Sequence, residues 1–238
     1  MPSPRSLSIA ALLTLVIAAP VHAESNPDPF ERLNRGMFAF NDAIDRGALK
    51  PLARGYNFIV PKFLRAGISN VLSNVGTPLV AVNQLLQGKP GLAGQDLGRF
   101  VINTTLGMGG LLDPATPSGL PAHTEDFGQT LRVWGVPAGP YLVAPFMGGS
   151  TATAGFGNIV SGFVSPIRLL QNNDQRISAI ALTVVDARAR LLQVETLVSG
   201  DRYLFIRDAY LQRREFLVND GKMEADPFLD EFDEDEEW

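Results

Sequence analysis

The sequence DPFERLNRGMFAFNDAIDR, from Asp28 to Arg46, predicts the fold class of the chain. Large apolar residues follow one another in it at spacings of three, four, three and four: Phe30, Leu33, Met37, Phe40 and Ile44. Because an α-helix turns once in about 3.6 residues, this spacing places all of them on one helix face. Asp28 is a candidate N-cap, and Pro29 suits the first turn. The segment is therefore predicted to form an amphipathic helix.

Two interpretations fit the apolar face of this helix. A stripe at helical spacing is more often a face of the protein core than a membrane face. Phe38, however, lies off the stripe and widens the apolar arc beyond what one neighbouring helix needs, which favours contact with lipid. The core remains the alternative. The lipid-facing candidates are Phe30, Leu33, Met37, Phe38, Phe40 and Ile44.

Residues 1–23 are predicted to be a cleavable signal peptide. Arg5 precedes an apolar run of thirteen residues, from Leu7 to Ala19, and small residues precede a cut after Ala23. The run is too short to span a bilayer as a helix. The chain has no cysteine, which excludes disulfides, cysteine metal sites and a lipid-modified cysteine as an anchor.

Negative charge is concentrated at the C-terminal end of the chain. The net charge is −5, yet residues 224–238 hold nine acidic residues and no Lys or Arg. A block of like charge cannot bury enough apolar surface to fold. We therefore expect a disordered acidic tail, either solubilising or a docking arm for a basic partner. Residues 24–223, with a net charge of +3, are expected to form a single domain.

Helical apolar spacing runs from Asp28 to about Leu106 and returns from Gln175 to about Asn219. In the second segment, one helix is expected to end near Gly200 and the next to be capped by Asp201. Between the two segments, from Gly107 to Pro166, twelve Gly and seven Pro predict loops in place of any long helix. The fold class is predicted to be all-α. New helices are expected at Pro51, Pro61, Pro78 and Pro90.

Catalytic and nucleic-acid signatures are weak. The Gly-rich stretch GMGGLLDPA, Gly107 to Ala115, lacks the Lys and Ser/Thr of a phosphate-binding loop, so close backbone packing explains it better. His123 near Glu125 and Asp126 is a poor acid/base cluster, and no nucleophile elbow or zinc-protease motif occurs. Residues 24–223 are nearly neutral and are predicted to be exported, which does not fit a nucleic-acid-binding protein. We expect no catalytic residues, no metal and no cofactor.

Several segments resemble the signatures of one family, the MlaA (VacJ) family of outer-membrane phospholipid-transport components. The helix sequence above is similar to the opening signature of that family. The resemblance continues, in family order, through AGISN (66–70), NQLLQG (83–88), RFVINTTLGMGGLLD (99–113), EDFGQTLRVWGVPAGPYLVAPF (125–146) and RDAYLQRREFLVNDG (207–221).

The resemblance implies a ring-like arrangement of helices in the inner leaflet of the outer membrane. It implies that mislocalised phospholipid leaves the outer leaflet through a central amphipathic channel and passes to a periplasmic lipid-carrier protein, which maintains lipid asymmetry. It also implies a trimeric porin as a partner in several members. Many relatives carry a lipid on a cysteine at the cleavage site, where this chain has Glu24, so we expect its amphipathic helices to hold it on the membrane.

The lipid channel is expected near the Gly-rich turn. Arg99 either meets a lipid phosphate or forms a structural pair with Asp96 or Asp113. Two rival functions stay open: a periplasmic scaffolding protein without lipid passage, and an enzyme that acts on lipids. The channel candidates are Arg99, Asn103, Thr104, Gly107, Gly109 and Gly110.

Overall fold

The computed structural model describes residues 26–222. The predicted signal peptide and acidic tail lie outside this range. Within it, no helix combines the length and the apolar character needed to cross a bilayer. In chain order, the elements are α1 (Glu31–Ile44), a π-helical turn (Asp45–Leu49), α2 (Lys50–Ile59), α3 (Lys62–Leu86), α4 (Pro90–Thr105), α5 (Phe127–Val133), β1 (Tyr141–Ala144), β2 (Gly148–Thr151), α6 (Ala152–Val164), a 3-10 turn (Pro166–Leu169), α7 (Asn173–Leu191), a second 3-10 turn (Glu195–Leu197) and α8 (Arg202–Val218).

The predominance of helix confirms the predicted fold class, with one β-hairpin as the exception. β1 and β2 pair antiparallel, with Tyr141 opposite Thr151 and Ala144 opposite Gly148. The hairpin is short, and half of its strand residues are glycine or polar. The alternation of apolar and polar residues that marks a strand is therefore too weak to predict it from the sequence.

The prolines begin two of the expected helices. Pro90 is the first residue of α4, and Pro61 directly precedes α3, as predicted. Pro51 lies in the first turn of α2, but a π-helical turn joins that helix to α1 without a break. Pro78 lies inside α3, so the helix start predicted there is wrong. Packing of α3 along α4 outweighs the one hydrogen bond that a proline removes.

The Gly-rich middle of the chain contains more helix than predicted. α6 runs for thirteen residues despite its glycines, so the expectation of loops alone is wrong there. A Cβ atom at Gly157 would lie 2.6 Å from Cα of Gly128, and closer still to its backbone N. These glycines therefore allow α6 and α5 to cross at backbone contact. Thr151 caps α6 by accepting a hydrogen bond from the N–H of Ala154.

Helix ends near the C-terminus are set by side chains. Asp201 accepts hydrogen bonds from two N–H groups in the first turn of α8 and caps it, as predicted. α7 ends at Leu191, so the end predicted near Gly200 is wrong. The chain between the two helices forms a 3-10 turn in which Glu195 is paired with Arg188 at 3.0 Å. Ion pairing between α7 and this turn replaces the continued helix.

Asp28 has a larger role than the predicted N-cap, and that prediction is wrong. α1 begins only at Glu31, and its N-cap side chain makes no capping bond. The buried carboxylate of Asp28 instead accepts hydrogen bonds from Asn34 Nδ2, at 2.7 Å, and from the Tyr203 hydroxyl. Burial, and then the bond to Asp28, raise the pKa of Tyr203 well above its ordinary value. We call Asp28, Asn34 and Tyr203 the closing network.

The closing network joins both ends of the described chain to the hairpin. Asn34 Nδ2 donates to the carbonyl of Tyr141 at 2.9 Å, and Asn34 Oδ1 accepts from the N–H of Val143 at 2.9 Å. Tyr141, Val143 and Tyr203 also form the buried apolar cluster of the protein. Helix α1, the hairpin and α8 are therefore fixed to one another by hydrogen bonds and by ring packing.

The contacts between successive helices form a closed circuit that begins and ends at α1. Helix α1 continues into α2, α2 packs on α7, and α7 packs on α3. Helix α3 packs on α5, α5 on α8, and α8 returns to the hairpin beside α1. This closed circuit is the connectivity that a ring-like arrangement of helices requires.

We predict that Asp28→Ala lowers the free energy of unfolding by about 3 kcal/mol, because it leaves one N–H of the buried Asn34 amide and the buried Tyr203 hydroxyl without an acceptor. Tyr203→Phe, which keeps the ring, is expected to cost about 1 kcal/mol. Urea denaturation of the two variants and of the double variant measures the coupling between the residues. Additive losses would contradict a shared network.

We predict that Gly157→Ala destabilises the protein by about 2 kcal/mol or more, because the new methyl group overlaps the backbone of α5. Gly162→Ala in the same helix is the matched control, since no atom lies within 4 Å of its added Cβ. Better helix propensity is expected to make that variant about 0.5–1 kcal/mol more stable. If both variants change the midpoint of thermal unfolding by the same amount, α5 and α6 do not cross at backbone contact.

Candidate functional site

The Gly-rich turn after α4 reverses the chain sharply, as close packing predicts. The N–H groups of Gly109 and Gly110 donate to the carbonyls of Thr104 and Asn103 at 2.9 and 2.8 Å. Met108, Gly109 and Gly110 all have left-handed φ angles, of 56°, 73° and 90°, which glycine adopts at little cost. A Cβ at Gly107 would overlap the carbonyl oxygens of Asn103 and Leu112.

Arg99 forms a structural ion pair, one of the two alternatives that the sequence leaves open for it. Its buried guanidinium lies 2.7 Å from Asp113 Oδ2, which settles the alternative between Asp96 and Asp113. It also donates to Thr116 Oγ1 at 2.8 Å and to the Leu120 carbonyl at 2.6 Å. Although burial acts in the other direction, hydrogen bonds from Thr116, Arg99 and Asn103 lower the pKa of Asp113 to about 2.

Asn103 and Thr104 complete the polar base of this turn. Asn103 is buried, donates to Asp113 Oδ1 at 3.0 Å and accepts from the N–H of Ala115 at 3.1 Å. Thr104 Oγ1 accepts a hydrogen bond from Asn74 Nδ2 of α3 at 2.9 Å. The polar channel candidates Arg99, Asn103 and Thr104 therefore hold the turn in place.

The turn held by this polar base presents apolar side chains outward. Leu106 is 72% exposed and Met108 is 71% exposed, and Leu111 and Leu112 are exposed beside them. Soluble proteins rarely expose several large apolar residues together, and such patches mark binding surfaces. These residues are not among the candidates predicted from the sequence, although the run LGMGGLL (106–112) combines large apolar residues with a glycine turn.

Helix α1 divides its lipid-facing candidates into two sets. Leu33, Phe30 and Phe40 are exposed. Met37 and Phe38 pack against the buried cluster, and the Phe38 ring meets Tyr203 edge-on at 5.6 Å. Phe38 therefore belongs to the core side, and its use as a sign of lipid contact was wrong.

The buried side of α1 is polar. Its buried residues are Asn34 and Asp42, whereas Leu33 and Phe40 are turned outward. Ile44 is half-buried. The apolar spacing correctly identified an amphipathic helix, but its fully buried residues are the polar Asn34 and Asp42.

The same inversion runs through the described residues. Fifteen polar or charged residues are buried against nine hydrophobic ones, and six of those nine are alanine. We call the large exposed apolar side chains of the helix ends, the turn and the hairpin tip the outer apolar surface. Its members are Leu33, Phe40, Phe58, Ile59, Phe63, Leu106, Met108, Phe146 and Met147.

The acidic and histidine side chains singled out in the sequence are engaged separately. His123 Nδ1 lies 2.9 Å from Asp96 Oδ2. Glu125 accepts from Gln87 Nε2 at 2.8 Å, and Asp126 caps α5 and pairs with Arg214. No group of three metal-ligating residues lies together among residues 26–222.

Comparison with known proteins places these features in a family. The model of the family described as MlaA lipoprotein matches residues 26–217. The intermembrane phospholipid transport system lipoprotein MlaA of Escherichia coli K12 is 35% identical over 206 residues, which cover 84% of this chain and 82% of that protein. An uncharacterized protein of Rickettsia felis is 38% identical over 195 residues, 80% of this chain and 78% of its own length.

A solved structure, from work on the structural basis for maintenance of bacterial outer membrane lipid asymmetry, has the same fold. It superposes with a TM-score of 0.72 at 34% identity, covering 80% of this chain and 98% of that chain. Sequence and structure thus agree over most of the described residues, and the chain belongs to the MlaA lipoprotein family.

Proposed function

We propose that this protein transports phospholipid between membranes. In this proposal it removes mislocalised phospholipid from the outer leaflet of the outer membrane and passes it to a periplasmic carrier, which maintains lipid asymmetry. The Escherichia coli relative, an intermembrane phospholipid transport system lipoprotein, supports the proposal. The theme of the structural neighbour, lipid asymmetry of the outer membrane, supports it as well.

The observation that carries the proposal is the inverted burial of the helices. In water, large apolar side chains are usually inside and Asn, Asp and Gln are mostly exposed. Here Gln84, Asn83 and Asp96 are fully buried, while Phe58 is 92% exposed. A protein surrounded by acyl chains can leave apolar groups outside, provided that its buried polar groups are hydrogen-bonded to one another.

Several buried polar groups around α3 meet this condition, although Gln84 Oε1 and Asn74 Oδ1 have no hydrogen-bond partner among residues 26–222. Gln84 Nε2 donates to Asp96 Oδ2 at 2.7 Å, and Asn83 Oδ1 accepts from Thr130 Oγ1 at 2.9 Å. The packed side chains that remain are small, such as Ala81 and Ala93. A polar interior with an apolar exterior suits a protein that lies in one leaflet and conducts an amphipathic ligand.

The partners follow from this role. The inner leaflet of the outer membrane would surround the outer apolar surface, and a soluble lipid carrier would receive the phospholipid on the periplasmic side. A trimeric porin is a further proposed partner in the membrane. No chemical change of the lipid is part of the proposal.

We predict that Leu33→Gln weakens binding to neutral phosphatidylcholine vesicles roughly tenfold, because it removes one large apolar side chain from the outer apolar surface. Arg32→Gln is the matched control, since it places the same side chain at the adjacent exposed position of α1. Vesicle flotation measures both. If the two variants float equally well, the exposed stripe of α1 does not contact lipid.

We predict that deletion of the gene raises the amount of phospholipid exposed on the cell surface, and that the intact gene reverses this change. Surface labelling of phospholipid headgroups measures it. An unchanged surface would refute transport. In that case, purified protein that carries a stoichiometric protein partner and no phospholipid would support the scaffolding alternative, and released fatty acid would support the enzyme.

A further inference from the structure

A groove lies between the end of α6 and the start of α7, outside the turn and helix considered above. Its volume is about 450 Å³, within the range of small-molecule sites. The 3-10 turn Pro166–Leu169, which lies between the two helices in the chain, contributes Ile167 and Arg168 to its lining. The lining residues are Ile159, Gly162, Phe163, Ser165, Ile167, Arg168, Arg176 and Ile180.

The charge of this groove is entirely positive. Two guanidinium groups line it, those of Arg168 and Arg176, and no carboxylate does. Neither arginine forms an ion pair with a carboxylate of residues 26–222, whereas Arg99, Arg188 and Arg214 each do. The groove therefore holds positive charge that the described part of the chain leaves uncompensated.

The two arginines are held in the groove by weak or partial contacts. The guanidinium of Arg168 lies 4.9 Å from the centre of the Phe163 ring, a cation–π contact that leaves its hydrogen-bond donors free within the described residues. Arg176 Nη2 donates to the Leu170 carbonyl at 2.9 Å, which orients its side chain. Arg176 Nε is buried and has no partner among the described residues.

The walls of the groove are apolar. Ile159 and Phe163 of α6 face Ile180 of α7, and all three side chains are exposed. A small anion would use the arginines and leave these walls in water. A purely apolar ligand would bury the walls and leave both charges without a counterion. A ligand with a phosphate joined to an alkyl chain satisfies both parts.

We propose that this groove binds one glycerophospholipid molecule. The phosphate lies between Arg168 and Arg176, with the Ser165 hydroxyl in the same lining, and one acyl chain runs along Ile159, Phe163 and Ile180. One planar guanidinium group can bind two phosphate oxygens through two parallel hydrogen bonds, which are stronger than hydrogen bonds between neutral groups. The site deepens the proposed transport function and rests on it, because it gives the transported lipid a defined place to bind.

The test titrates purified full-length protein with dihexanoyl phosphatidylglycerol, a soluble phospholipid. We expect Arg168→Gln to weaken binding at least tenfold, because it removes the charge that faces the phosphate. Arg168 is exposed and has no ion pair among residues 26–222, so its thermal midpoint is expected to stay unchanged. The matched control is Arg213→Gln, which removes the same charge from an exposed position of α8 and is expected to bind as the wild type does.

One further ligand and one further variant separate the contribution of the phosphate from that of the acyl chain. Glycerol phosphate, which lacks chains, is expected to bind more weakly than the phospholipid and to lose affinity in Arg168→Gln. Ile180→Asn is expected to weaken phospholipid binding several-fold and to leave glycerol phosphate binding unchanged. Equal affinities of glycerol phosphate and phospholipid would overturn the lipid site in favour of a free-phosphate site. Equal binding by Arg168→Gln and Arg213→Gln would overturn the assignment of the arginines.

Cells distinguish a failure of this site from a failure of the transport function. If gene deletion raises surface phospholipid but Arg168→Gln behaves as wild type in cells and in the titration, the groove is not the lipid site and transport stands. If deletion changes nothing while Arg168→Gln still loses lipid affinity, the binding site stands and transport falls.

Discussion

The buried carboxylate of Asp28 is the constraint on which the arrangement of the helices depends. A charge removed from water must be compensated by hydrogen bonds, and the donors come from Asn34 in α1 and from Tyr203 and Arg207 in α8. The amide of Asn34 in turn bridges two backbone groups of β1. Elements that are more than a hundred residues apart are thereby held at one place, and the order of helix packing closes into a circuit.

Closure of the circuit explains why the polar faces are inside. Small residues and hydrogen-bonded amides fill the contacts between neighbouring helices, as at Gln84 and Asp96. Large apolar side chains then have no room in the contacts and lie outside, as Phe58 and Phe146 do. In the proposed function, lipid surrounds this apolar exterior and the polar interior suits an amphipathic ligand. The groove at Arg168 and Arg176 combines the two properties in a single place.

In this fold, glycine residues mainly allow two backbone segments to approach closely, and they interrupt helices less often. Gly128 and Gly157 bring α5 and α6 into backbone contact, and Gly107 lets the turn after α4 fold back on the helix. The polar base under that turn, centred on Arg99 and Asp113, keeps the exposed Leu106 and Met108 in position. The channel candidates Arg99, Asn103 and Thr104 thus hold the exposed apolar residues of the turn in position.

The sequence by itself determined the features that depend on neighbours along the chain: the amphipathic spacing of α1, the cap at Asp201, the helix start at Pro90, the predominance of helix and the family signatures. Only the tertiary structure decided that Asp28 binds Tyr203, that Arg99 pairs with Asp113, that Pro78 lies inside a helix and that Phe38 faces the core. The reason is physical, because periodicity fixes which residues share a face, whereas contacts between residues distant in the chain fix what that face meets. Burial of Asn34 and exposure of Leu33 on the same helix is the clearest case.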